Sequence, residues 1–326
     1  MREAVRRWID DRFPGARVNP LAEDASTRSF YRLTVAAGTS ILMDYGAPFE
    51  GESEDQKLAA IFRRAGLPVA DILEARPELG CLVLEDLGAK TLEDELQACN
   101  EQGETPQVLL DAAHLAGRIA RDGSPVLSES ARAAGPSLDS ERFRFEMAFF
   151  LDNFVARHRK IRGEHGRLGS LLESLADAAA RTPRPVMCHR DYHSRNILVR
   201  ESGSLALVDI QDARWGPDTY DLASLIFDAY VDLADVWIEP LIAACLEAAG
   251  TDDDPLVRQR LHLVAAQRMI KALGTFGYQI EVAHNDRYMD AISRTLARLD
   301  RLLPLKEETL AIHAAFRSLD LFAANP

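Results

Sequence analysis

The stretch HRDYHSRNILV, residues 189–199, sets an acid two residues after a histidine and an asparagine just before an apolar run. In the next apolar run, LALVDIQ at 205–211, the strand-like part ends on a second acid, Asp209. Two β-rich runs, Ile197–Val199 and Leu205–Val208, flank the turn residues Glu201, Ser202, Gly203 and Ser204, which reads as an antiparallel hairpin. In such a hairpin the residue before the first strand and the one ending the second lie at the same end. Asn196 and Asp209 are therefore expected to be neighbours, with Asp191 presented by the loop just before them. An amide and a carboxylate are hard oxygen donors suited to Mg²⁺, and a further carboxylate close by can accept a hydroxyl proton. Metal on phosphates and a base on the nucleophile is the arrangement that phosphoryl transfer needs.

The elements that must position these residues fall into two textures. VRRWIDDRF places Val5, Trp8 and Ile9 on one side of a short amphipathic helix. RSFYRLTVAAGTSILMDYG reads as a hairpin turning at Ala36-Ala37-Gly38-Thr39. Ser53 opens a helix with Gln56 as its capping-box partner; Leu58, Ile61, Phe62 and Ala65 line its apolar face, and Gly66 ends it. DILEARPELGCLVLEDLG supplies a further strand pair turned at Pro77-Glu78-Leu79-Gly80. After Gly88 the periods become helical: TLEDELQACN, QVLLDAAHLAGRIARDG and SERFRFEMAFFLDNFVARH carry apolar residues three and four apart. Residues 123–138 read as a small-residue loop, and from Tyr220 onward the chain reads helical again. The expectation is an α+β chain with a sheet-rich N-terminal lobe, 1–87, that binds a nucleotide. A larger helical C-terminal lobe, 88–326, is expected to carry catalysis and acceptor binding. Clefts between such lobes are preferred ligand sites.

Composition narrows the partners. The 326 residues contain 38 Lys+Arg against 51 Asp+Glu, a formal net charge of 38 − 51 = −13. Nucleic acid is an unsuitable partner for such a chain, since phosphate neutralisation needs a basic face. Nucleotides remain open, because magnesium can mediate between carboxylates and phosphates. Cys81, Cys99, Cys188 and Cys245 form no C-x-x-C pair and read as reduced residues. The charged start MREAVRRWIDDRF lacks a secretory apolar core, and no run approaches the roughly 20 apolar residues of a membrane span. A cytoplasmic protein, monomeric, with no membrane partner, is the expectation.

His189-Arg190-Asp191 through Asn196 matches the H-R-D-x-x-x-x-N catalytic loop of protein kinases, and Asp209-Ile210-Gln211 stands where those enzymes carry D-F-G. With the LVLEDLG hinge, the N-terminal hairpin and the helical C-terminal part, the chain resembles the aminoglycoside phosphotransferase and choline kinase branch of the protein-kinase-like fold. DASTRSFYRL, ILMD, HRDYHSRNILV and DIQDARWGPDTYDLASLIFDAY look, more narrowly, like the bacterial anomeric kinases of N-acetylmuramate and N-acetylglucosamine used in cell-wall recycling. The resemblance implies an ATP- and Mg²⁺-dependent kinase in which Asp191 deprotonates the acceptor hydroxyl and Asn196 and Asp209 hold the metal. It further implies an amino sugar phosphorylated at its anomeric hydroxyl. An aminoglycoside or amino-alcohol kinase is the alternative within the fold, and a catalytically silent binding module the alternative outside enzymes.

Two departures bear on the nucleotide. No G-x-G-x-x-G precedes the first hairpin, and Met43 and Asp44 stand where kinases place the strand lysine. Ser26, Thr27 and Arg28 are expected to hold the phosphates instead. Met43 is expected to line the nucleotide site, with Glu85 and Leu87 offering backbone groups to adenine. His189 is expected to anchor the catalytic loop, and Asp221 to cap a helix or hold that loop. Asp212 is either a second metal contact or a surface acid. His193, Arg195, Arg214 and Trp215 form a basic and aromatic set near the loop that suits a neutral or anionic sugar.

Overall fold

Helix α1, Glu3–Arg12, buries Val5 and Ile9, the pair its four-residue spacing brings to one face. They pack with Leu33, Leu42, Cys81 and Val83, which come from one face of a five-stranded antiparallel sheet. The sheet is built from β1 (Arg17–Pro20), β2 (Ser29–Val35), β3 (Gly38–Asp44), β4 (Ile72–Arg76) and β5 (Cys81–Glu85), in the order β1-β2-β3-β5-β4. The expected hairpin is present: Val35 pairs with Gly38, so Ala36 and Ala37 make the turn. The second strand pair turns at Gly80, at φ +64, where a Cβ would stand 1.8 Å from the Ala47 carbonyl oxygen. Only glycine fits there. Strand β1 was not expected; its four residues are too few for alternation to register, and Pro20 is tolerated because the strand lies at the sheet edge. Helix α2 (Glu54–Arg64) carries the expected Ser53–Gln56 capping box and buries Leu58, Ile61 and Phe62.

The structure, a computed structural model, describes residues 1–21, 28–98, 104–130, 135–163 and 165–323. Residues 1–90 and 198–211 form one compact unit; residues 91–197 and 212–326 form a second. The hairpin that follows the 189–196 loop thus groups with the sheet. Its strands, β7 (Ile197–Val199) and β8 (Leu205–Leu207), pair as expected. It is tied down by Val199 N–H donating to the Lys90 carbonyl at 2.8 Å and Leu207 N–H to that of Pro68 at 2.7 Å.

The second unit is helical: α3 (Leu92–Ala98), α4 (Gln107–Arg118), α5 (Ser124–Ser128), α6 (Ser140–Phe150), α7 (Gly166–Ala179), α8 (Tyr220–Ile226), α9 (Asp235–Ala249), α10 (Pro255–Glu281), α11 (Met289–Leu302) and α12 (Glu307–Ser318). Helix α10 is its axis, packing against α6, α7, α8, α11 and α12. Close approach to α6 depends on Gly274, where a Cβ would meet the Phe150 Cα at 2.8 Å. The expected loop at 123–138 is corrected in its first part. The chain runs helically from α4 through a π-helical stretch, Ile119–Gly123, into α5. Ser124 secures this by donating to the Ala120 carbonyl and accepting from Met187 N–H at 2.8 Å, contacts invisible in a run of small residues. Met187 lies on β6 (Val186–Cys188), which pairs antiparallel with β9 (Arg214–Gly216). Asp254, the last of three consecutive aspartates at 252–254, caps α10 through its carboxylate. Cys81, Cys188 and Cys245 are buried and unpaired by any disulfide; Cys99 lies outside the described residues. Among the described residues, no helix is long and apolar enough to cross a membrane. The α+β class, an antiparallel sheet and a larger helical part, is as expected.

Candidate active site

The loop that follows β6 is held by two buried carboxylates. Asp221, in the first turn of α8, accepts the backbone N–H of His189 at 2.6 Å and of Arg190 at 3.0 Å. Asp228, fully buried just beyond that helix, accepts the N–H of Ser194 at 2.6 Å and of Tyr230 at 2.8 Å. Burial pushes the Asp221 carboxyl up to about 7, against the pull of the two amides. Tyr192, also fully buried, donates its hydroxyl to the Ala112 carbonyl at 2.6 Å, and His189 packs edge-on against its ring. Arg190 adopts φ 79, a left-handed conformation uncommon outside glycine. Its guanidinium reaches Asp212 at 2.9 Å and the buried Glu146 at 3.4 Å. A loop pinned at both ends and through its middle is pre-organised for whatever it presents.

It presents Asp191. Among the described residues the Asp191 carboxylate accepts no hydrogen bond, and its one ion-pair partner is Lys271 of α10, at 3.7 Å. Burial opposes its ionisation, but Lys271 foremost, with Arg190, His193 and Arg268, holds the carboxyl well below the usual carboxylate range. A charged carboxylate with its lone pairs open can orient a hydroxyl and take its proton. Beside it, Asn196 spends its amide nitrogen on the Asp191 carbonyl at 2.9 Å and lies 3.4 Å from His193 Nε2. The Asn196 Oδ1 is left without a protein partner among the described residues, the orientation an oxygen ligand to magnesium requires. Burial lowers the His193 pKa, and its ring stands edge-on to Tyr230.

Two residues expected to meet the acceptor are paired with acids of the protein, and a third lines a cavity. Arg195 forms a two-pronged pair with Glu93 at 2.6 and 3.2 Å, and its guanidinium lies 3.8 Å over the Tyr230 ring. Arg214 is turned back on Asp212 at 2.7 Å. Trp215 lines a surface cavity of about 490 Å³ with Leu138, Asp139, Thr182 and Pro185; no residue of 189–196 lines it. Asp212 serves as the acid between Arg190 and Arg214.

In the first unit, Asp209 follows β8, exposed, at φ 56, a second left-handed non-glycine residue at a motif position. Ser26 and Thr27 lie outside the described residues. Arg28 is buried and paired with Asp55 of α2 at 2.6 Å, with the Tyr45 hydroxyl donating to the same carboxylate. Met43 is buried, its sulfur 3.8 Å from the Arg28 guanidinium. The cation just before β2 is thus matched to an acid on α2. Glu85 receives Arg200 at 3.0 Å through its side chain and donates its amide to the Asp71 carbonyl. Leu87 is buried, and its backbone N–H has no partner among the described residues, so it can donate to a planar base. No group of three or more His, Cys, Asp or Glu side chains able to hold a metal occurs among the described residues. Any divalent ion here must draw on one or two protein oxygens plus phosphate, the usual habit of magnesium.

Sequence reading missed Asp55, Asp228 and Lys271. A signal existed for the last: Arg268 and Lys271 are two cations three residues apart within the otherwise apolar stretch LVAAQRMIKALG, which needs a partner for each.

Comparison with known proteins agrees with this layout. The chain is 30% identical over 322 residues to an N-acetylmuramate/N-acetylglucosamine kinase of Pseudomonas aeruginosa, covering 94% of this chain and 89% of that protein. It is 28% identical to one of Neisseria meningitidis serogroup B, covering 95% and 93%. Among solved structures, a choline/ethanolamine kinase family protein of Mesorhizobium loti superposes with TM-score 0.62 at 16% identity, covering 94% of each chain. A choline kinase of Streptococcus pneumoniae gives 0.60 at 14% identity, covering 92% and 98%. At such identities the structural likeness speaks for the fold alone. A family model described as the phosphotransferase enzyme family matches residues 17–259, a span that runs from β1 through the catalytic loop into α10, and the chain belongs to that family of kinases acting on hydroxyl acceptors.

Proposed function

We propose that the protein is an ATP-dependent amino sugar kinase that phosphorylates the anomeric hydroxyl of N-acetylmuramate, N-acetylglucosamine or both. The sugar 1-phosphate formed would feed peptidoglycan recycling. The observation that carries this is the length of the likeness to kinases named for those two sugars, 26–30% identity over 88–95% of this chain. In the proposed step the Asp191 carboxylate receives the acceptor O1 proton, O1 bonds to the γ-phosphorus, and the bond to the bridging oxygen of ADP breaks. Bound magnesium would neutralise charge on the β- and γ-phosphates. Asn196, through Oδ1, and Asp209 are the residues the motif assigns to holding it. Leu87 would offer its amide to adenine. Arg28, steadied by Asp55, would supply the positive charge that other kinases take from the strand lysine.

The test offers N-acetylmuramate, N-acetylglucosamine and kanamycin in turn with ATP and magnesium. Either amino sugar should be turned over with kcat/KM at least about a hundredfold above kanamycin, a margin of roughly 3 kcal/mol in transition-state binding. The product should no longer reduce copper, because O1 is capped. A phosphorylated sugar that still reduces copper, or preference for kanamycin, would overturn the reading.

A further inference from the structure

The Asp191 carboxylate and the Lys271 ammonium, with side chains 24% and 19% exposed, are each other's one ionic partner among the described residues. A lysine this far inside an apolar helix must be compensated by charge, so its pairing with a loop acid is not incidental. The separation of 3.7 Å is beyond hydrogen-bond distance. The cation therefore balances the carboxylate without taking its lone pairs, which stay open to an acceptor hydroxyl. The geometry is also braced. One turn earlier on α10, Arg268 donates to the Ser224 hydroxyl of α8, and the same α8 carries Asp221, which grips the amides of His189 and Arg190. Loop, α8 and α10 are thus one hydrogen-bonded assembly, and the place of Lys271 relative to Asp191 is set by it.

We propose that Lys271 is a positioning residue for phosphoryl transfer, whose ammonium holds the Asp191 carboxylate in the orientation that receives the acceptor hydroxyl. The proposal rests on Asp191 being the base, as argued above. The groups facing Asp191 are Arg190 and His193 from its own loop, Arg268 and Lys271 from α10, and Tyr220 and Asp221 from α8. Lys271 is the one of these cations within ion-pair distance of the carboxylate, so its removal frees the Asp191 side chain to turn away from the acceptor hydroxyl.

The experiment is a double-mutant cycle on the full chain with Asp191→Asn and Lys271→Met, with Lys271→Arg as the conservative variant. Lys271→Met should lower kcat about tenfold or more and leave KM for sugar and ATP within about twofold. Lys271→Arg should recover most of the turnover. In the Asp191→Asn background Lys271→Met should cost nothing further, because the group it acts through is gone. That background also removes both charges together, so it decides the matter should the single methionine variant not fold. Near wild-type kcat, a rise in sugar KM alone, no recovery in Lys271→Arg, or a further tenfold loss in the Asp191→Asn background would overturn the proposal. If Asp191→Asn itself keeps wild-type turnover, it is the assignment of the base that fails.

Discussion

Asp221 is 6% exposed and carries no positive partner at hydrogen-bond distance among the described residues, yet it organises the 189–196 loop through two backbone amides. Burial and the amides pull its ionisation in opposite directions, with burial ahead. What the residue contributes is an acceptor for both amides at once. Asp221→Ala should take this acceptor from the His189 and Arg190 amides, at roughly 1–3 kcal/mol each. Asp221→Asn keeps one acceptor oxygen and should lose about half as much. Urea unfolding checks this: the midpoint should fall with the slope unchanged, and kcat should fall with it. A loss below about 0.5 kcal/mol for the alanine variant, the scatter of an ordinary surface substitution, would mean the amides find other partners. Arg195 teaches the complementary lesson. A basic residue beside a motif looks like a ligand contact, but Glu93 and the Tyr230 ring already occupy its guanidinium.

At the scale of elements, α10 does the most, because one helix both packs the second unit and supplies Lys271 to the loop. Its first half meets α12 through a buried polar contact: His262 Nε2 lies 2.7 Å from Thr309 Oγ1, whose own proton goes to the Leu303 carbonyl at 2.7 Å. Thr309 therefore accepts, and His262 carries its proton on Nε2. Burial, with Lys306 nearby, lowers the His262 pKa to about 4. The depressed value means that the folded chain keeps this ring neutral while the unfolded chain takes a proton below about 6.5. The contribution to stability is complete above pH 6.5 and is lost progressively down to pH 4, roughly 3 kcal/mol in all. His262→Gln retains an N–H for Thr309 and removes the titration, so denaturant midpoints measured from pH 7 to 4 should flatten in that variant. An equal slope in both proteins would place the acid sensitivity elsewhere.

For the molecule as a whole, the motif residues belong to different compact units: Asp209 to the sheet-bearing one, Asp191 and Asn196 to the helical one. A ligand bound by the native chain alone raises its apparent stability, by about 2.7 kcal/mol at a hundred times Kd. Magnesium and ATP together should therefore raise the thermal midpoint more than ATP alone. In Asp209→Ala the increment due to magnesium should vanish. In Asp191→Asn it should persist while kcat falls by roughly 10²–10⁴. Loss of the increment in neither variant, or its absence from the wild type, would remove Asp209 from magnesium binding.

The features legible in the sequence are local ones. The spacing from His189 to Asn196, the turn before Leu205, the Ser53–Gln56 capping box and the four-residue period of α1 each involve neighbours along the chain. Short-range backbone geometry and a 2.0 or 3.6 repeat dictate them before any tertiary contact forms. Family likeness came through the same local strings. What only the tertiary structure decided were meetings of residues distant in sequence: Lys271 with Asp191, Asp228 with the Ser194 amide, Arg28 with Asp55, and β9 with β6. The diversion of Arg195 and Arg214 onto nearby acids belongs with them. A charged side chain carries no periodic mark of the partner it will find, since that partner is chosen by which buried charge must be neutralised once the helices have packed.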